Sequence, residues 1–156
     1  MLATPAELPR RSAAAGAFAT SAIDPALLHD IRVLVVDDEE DTRLLLETTL
    51  AQYGADVTTA GSAAAALSAI DHRCPDVLLS DIGMPHEDGY SLIRRVRALP
   101  SGRGGAIPAV AITAYASALD RSAVLAAGYQ AHVAKPFDAG TLASLVAELG
   151  RAARAH

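Results

Sequence analysis

From Ile31 onward the chain alternates short, almost wholly apolar runs with longer stretches in which apolar residues recur at helical spacing. The runs Ile31–Val36, Ala55–Ala60, Asp76–Ser80, Ile107–Thr113 and Ala131–Ala134 predict strands, most of them too apolar to have a wet face. Between them Asp41–Tyr53, Ser62–His72, Gly89–Leu99, Ala118–Ala127 and Ala139–Ala153 predict helices. Leu45, Thr49 and Tyr53 mark the inward stripe expected of the first helix, and Leu142, Leu145, Val146 and Leu149 that of the last. Gly54 and Gly128 stand where helix ends favour positive φ, and Ser62 where a helix start favours a cap. Strand followed by helix, repeated five times, requires right-handed crossovers and a parallel sheet covered on both faces. The pattern therefore predicts a doubly wound, five-stranded α/β domain over residues 31–150, with ligands bound beyond the carboxyl ends of the strands.

Residues 1–30 are rich in Ala, Pro, Ser and Thr and read as a flexible linker or N-terminal tail, in which Asp24 can cap a short turn over Pro25–His29. Residues 151–156 read as a C-terminal tail. Composition sharpens this reading. Hydrophobic residues make up 51% of the chain but aromatics only 4%, so the core is aliphatic. A net charge of -5 argues against a surface built to bind nucleic acid directly. A single cysteine, Cys74, cannot form an internal disulfide, and no apolar run reaches the roughly 18 residues that span a bilayer. Met1–Ala22 has Arg10 and Arg11 but no continuous apolar stretch after them, so it does not read as a secretory signal, and a cytoplasmic location without membrane contact is expected.

Candidate chemistry gathers at the strand ends. Five acids, Asp37 to Asp41, follow the first strand. Glu39, Glu40 and Asp41 suit a solvated helix N-terminus. Asp37 and Asp38, directly after the apolar strand, should instead project into the crevice. The third strand ends in Asp81, which the fold brings near them. Three carboxylates so close raise one another's pKa unless a hard divalent ion neutralises them, and Mg2+ suits oxygen-only ligation completed by a phosphate oxygen. The fourth strand ends in Thr113 beside the small Ala114. The fifth ends in Lys135, the only lysine in the chain, where the other 12 basic residues are arginines. Carboxylates, a hydroxyl and an ammonium from different strand ends can stabilise phosphoryl transfer onto a carboxylate: Asp81 as nucleophile, Lys135 neutralising charge and Thr113 donating a hydrogen bond.

At these positions the chain resembles the response-regulator receiver family over nearly all of Ile31–Leu149. The matching pieces are Val35-Val36-Asp37-Asp38, Asp81-Ile82-Gly83-Met84-Pro85 continuing to Asp88-Gly89-Tyr90, Thr113-Ala114, and Lys135-Pro136-Phe137. The resemblance implies a flavodoxin-like sheet of strand order 2-1-3-4-5 and Asp81 as phosphoacceptor. It also implies Mg2+ held by Asp38, by Asp37 mostly through water and by the Gly83 carbonyl, and a cis bond before Pro136. A histidine kinase or histidine phosphotransfer domain is the implied donor. The implied reporting face is helix 4, strand 5 and helix 5, through which a homodimer could also form. In the family an aromatic residue three before the lysine swings inward with the threonine. Here that place holds His132, either a titratable rotor beside Thr113 or simply a half-buried strand residue. Gly83 and Tyr115 occupy positions that tune phosphoryl lifetime in the family. The wording Ser80-Asp81-Ile82-Gly83-Met84-Pro85 looks most like receivers attached to hybrid histidine kinases, and a stand-alone regulator is the other possibility.

Two further readings stay open. A metal-dependent phosphohydrolase of similar fold would want a second acid two residues past its nucleophile, where this chain has Gly83. An interaction module independent of phosphorylation would have no need of the full acidic and lysine set. Gly102-Arg103-Gly104-Gly105 precedes a strand, so it reads as a loop and not a phosphate cradle. His29, His72, His86 and His156 share no ligand spacing, and Cys74 reads as inert.

Overall fold

The structure is a computed structural model and describes residues 24–82, 89–114 and 118–154. The expected tail ahead of residue 24, together with Gly83 and Tyr115, lies outside the described residues. Each apolar run forms a strand: β1 (Arg32–Val36), β2 (Asp56–Ala60), β3 (Val77–Asp81), β4 (Ala109–Thr113) and β5 (Ala131–Ala134). All pairings are parallel, in the order β2-β1-β3-β4-β5. The helices are α1 (Glu40–Ala51), α2 (Ala63–His72), α3 (Gly89–Arg97), α4 (Ala118–Ala127) and α5 (Ala139–Arg154), with a 3-10 turn at Ser101–Arg103. This is the doubly wound arrangement that the sequence predicts.

Alternate residues of the strands feed two aliphatic cores. Leu34, Val36, Leu78, Ala109 and Ala111 pack with residues of α2, α3 and α4 on one face. Val33, Val35, Val77, Leu79, Val110 and Ile112 pack with α1 and α5 on the other. The central strands β1, β3 and β4 are buried on both faces, which is why their sequences show no alternation, whereas edge strand β2 alternates exposed and covered positions. Gly54 and Gly128 adopt φ of 95° and 127°, as their places after helices require, and Ser62 caps α2 by accepting from the Ala65 N–H at 3.1 Å.

Three expectations need correction. The buried stripe of α1 is Leu46, Leu50 and Tyr53, while Leu44 and Leu45 are 60% and 56% exposed. Three consecutive leucines permit more than one helical phase, and the turn at Asp37–Glu39 that launches α1 selects the phase that buries Leu46. The packed unit also begins upstream of residue 31. Asp24 accepts from the Ala26 N–H at 2.9 Å and starts a turn that drives Leu28, fully buried, into the core between β1, α1 and α5. The Leu28 N–H donates to Tyr53 O at 2.7 Å and Arg151 Nη2 to Leu27 O at 2.7 Å, so residues 24–30 form a strap rather than a tail. At the other end α5 runs to Arg154, as the helix predicted over Ala139–Ala153 requires, so residues 151–154 belong to that helix and not to a tail.

Candidate functional site

The carboxyl ends of β1, β3, β4 and β5 converge on one crevice. Asp37 continues β1 by donating its N–H to Ala60 O at 3.2 Å, and its side chain turns inward and is 1% exposed. One carboxylate oxygen, Oδ1, accepts from the Glu39 N–H at 2.9 Å, a short side-chain turn that bends the chain into α1. Arg43, on the first turns of α1, donates Nη1 to the Asp37 carbonyl at 2.8 Å. The other carboxylate oxygen, Oδ2, is buried without a hydrogen-bond partner, and Lys135 Nζ stands 3.7 Å from it. Burial raises the Asp37 pKa above its ordinary value; the Glu39 N–H opposes this, Asp81 adds to it, Lys135 opposes it and Asp38 adds to it. A buried anion with one oxygen lacking a donor is costly, and a cation is the group that would relieve it.

Asp38 is exposed at the mouth and Asp81 is partly buried at the end of β3. Each of Asp37, Asp38 and Asp81 can offer a carboxylate oxygen such that all lie within 4.8 Å of one another. Oxygens about 2.1 Å from an octahedral Mg2+ lie roughly 3 to 4.2 Å apart, so this spacing fits one hard cation held partly through water. Lys135 Nζ is also 3.8 Å from Asp81 Oδ1, and the Lys135 backbone N–H donates to Thr113 O at 2.8 Å, which ties the ends of β4 and β5 together. The Lys135–Pro136 bond is cis. Thr113 is 7% exposed and follows Ile112, the register partner of Asp81. The crevice thus unites Asp37, Asp38, Asp81, Thr113 and Lys135.

His132 pairs with Ala111, two residues short of the Thr113–Ala134 pair and on the same sheet face. It is half-buried on the side covered by α4, about 6.6 Å along the strand from the rim. Sequence reasoning missed the Arg43 contact and a buried bond from Tyr129 Oη to Gly89 O at 2.8 Å. An isolated arginine on a polar helix and an isolated core tyrosine carry no pattern that could announce either.

The response regulator receiver domain family matches residues 33–147, which include every residue of this crevice. The chain belongs to that family. As a receiver domain it is a phosphoacceptor of two-component signalling and a signalling unit rather than a metabolic enzyme. Among curated relatives, an uncharacterised 14.6 kDa protein of Leptolyngbya boryana is 46% identical over 119 residues, 76% of this chain and 89% of that protein. The transcriptional regulatory protein PrrA of Mycobacterium tuberculosis is 39% identical over 76% of this chain, which covers only 48% of PrrA. The sensor histidine kinase RcsC of Salmonella typhimurium is 36% identical over 69% of this chain, which covers 11% of RcsC. Chemotaxis protein CheY4 of Vibrio cholerae superposes with a TM-score of 0.71 at 28% identity, covering 76% of this chain and 98% of CheY4. The receiver domain of a Syntrophus aciditrophicus signal transduction histidine kinase gives 0.70 at 26%, covering 78% and 91%. The receiver unit thus occurs both in free-standing proteins and as one segment of longer ones. No helix among the described residues is long and apolar enough to cross a membrane.

Proposed function

We propose that Asp81 receives a phosphoryl group from the phosphohistidine of a histidine kinase or histidine phosphotransfer domain. The observation that carries this reading is the convergence of Asp37, Asp38 and Asp81 with the sole lysine beside them, leaving a buried Asp37 oxygen without a donor. An Asp81 carboxylate oxygen attacks phosphorus, a P–O bond forms as the P–N bond breaks, and the electron pair leaves with the imidazole nitrogen of the protonated donor, which departs as neutral histidine. Lys135 Nζ, within 4 Å of both Asp37 and Asp81, offsets charge developing on the phosphoryl oxygens. Thr113 donates its hydroxyl to one of them from the rim of β4. Asp38 and Asp81, with Asp37 behind them and the Gly83 carbonyl, would hold Mg2+, which when bound neutralises the acids and polarises the phosphoryl group.

The exposed Leu44 and Leu45 on α1, the helix launched from the acids, suit docking of a donor protein. The added charge, roughly -1.5 to -2, biases the α4–β5–α5 face, where Leu125 on α4 is 46% exposed and where a homodimer or a downstream target would bind. Thr113 at the end of β4 and His132 on β5 would carry the change from the acceptor toward that face. Residues 31–150 with the preceding strap form the receiver unit, and its donors place it in the cytoplasm. Incubation with radiolabelled acetyl phosphate and Mg2+ tests the assignment: the natural chain takes up label, while Asp81→Asn does not. Label on the Asn variant at the natural rate refutes it.

A further inference from the structure

We propose that Tyr129 is a positioning residue for Asp81, acting through Gly89. Tyr129 follows the end of α4 and is 2% exposed. Its ring belongs to the core shared with Leu92, Ile93 and Val124, a role that phenylalanine would fill equally well. The hydroxyl does something else. It donates to Gly89 O at 2.8 Å in a buried setting, at the first residue of α3. Gly89 in turn donates its N–H to Ile82 O at 3.0 Å, so the chain that leaves β3 at Ile82 is pinned where it re-enters at α3. The fit is tight: a Cβ on Gly89 would stand 2.6 Å from Asp81 O, 3.0 Å from the Ile82 Cα and 3.0 Å from Tyr129 Oη. Gly89 is therefore wedged between the tyrosine hydroxyl and the backbone of Asp81–Ile82.

The strand ladder makes that wedge consequential. Pairing between β1 and β3 ends at Val36–Ser80, while pairing between β3 and β4 continues to Asp81–Ile112. Asp81 lies past its last β1 partner; its carbonyl accepts from Ser80 Oγ at 3.2 Å and faces Gly89 closely enough that no Cβ fits between them, so Gly89 is one of the groups that hold its backbone. A cation shared by Asp38 and Asp81 depends on oxygen spacing to a few tenths of an ångström, so loosening Gly89 weakens binding at the mouth without removing any ligand.

The inference rests on Asp81 facing the cation and accepting the phosphoryl group. The test is Tyr129→Phe in the full chain, with Ile70→Val as a control that thins the same core on α2. Mg2+ is titrated against the folded proteins by amide NMR shifts, and hydrogen exchange of the Gly89 amide is read in parallel. The expected result is a Mg2+ dissociation constant raised roughly threefold to tenfold in Tyr129→Phe, the range one lost hydrogen bond represents, with faster Gly89 exchange and no change in either for Ile70→Val. A Tyr129→Phe protein with the natural Mg2+ affinity overturns the proposal, as does an equal loss in Ile70→Val. Failure of the parent reading looks different: Asp81→Asn takes up label from acetyl phosphate, or the natural chain shows no Mg2+-dependent shifts, and either outcome overturns both.

Discussion

Leu28 offers a direct measure of where the folding unit begins. Leu28→Ala removes three carbons from a fully buried position among Ile31, Leu50, Tyr53 and α5, and such truncations cost about 2 to 5 kcal/mol when the surroundings cannot collapse. The strap sets a ceiling on that loss, because its alternative to a cavity is to peel away. Peeling forfeits the Leu28 side chain, the bonds to Tyr53 O and from Arg151, and the Asp24 turn, while regaining the backbone entropy of the freed residues. Most of the gross gain is thereby offset, so the substitution should fall near the low end, about 2 to 3 kcal/mol. Deleting residues 1–30 should cost at least as much, since it removes everything the peeled variant loses. Urea unfolding of the three proteins by far-UV circular dichroism checks this. A truncated protein as stable as the full chain would refute the reasoning, as would a Leu28→Ala loss exceeding that of the truncation.

Asp37→Asn addresses the buried carboxylate. Because the folded pKa of Asp37 lies above its ordinary value near 3.8, its contribution to stability is present below that value and is lost as pH rises through the folded one. Without divalent cation, the Asn variant should therefore be more stable than the natural chain at pH 7 and show a flatter pH dependence through the carboxylate range, and added Mg2+ should narrow the gap by stabilising only the natural chain. Urea midpoints measured from pH 4 to 8 with EDTA or Mg2+ test the sign. Gly89→Ala forces a methyl group against backbone atoms of Asp81 and Ile82 and should cost about 1 to 3 kcal/mol; a variant of natural stability by the same assay would mean that this wedge is looser than described.

The sheet was legible because strands buried on both faces leave apolar runs that few other elements produce, and the acids were legible because each interrupts such a run where it ends. Lys135 stood out through rarity. Spacing carries no distances, however, and so the orphaned oxygen of Asp37 and the Arg43 bond to its carbonyl could not be read in advance. The α1 stripe was misjudged because Leu44, Leu45 and Leu46 are chemically equivalent, and only the turn made by Asp37 and Glu39 chooses among them. Leu28 was overlooked for a different reason: seven residues are too few to show a period, and their burial follows from a pocket assembled by β1, α1 and α5 far along the chain.

With one lysine in 156 residues, amine-directed acylation has just two targets in this chain, the amino terminus and Lys135. The side chain is 30% exposed, open enough for a small acylating reagent yet in ion-pair range of two carboxylates. Its modification rate is thus a built-in gauge of what occupies the crevice. A seated anion should shield it, a competing cation should free it from its acidic neighbours, and a mass spectrum of one peptide would report both without radiolabel or engineered probe.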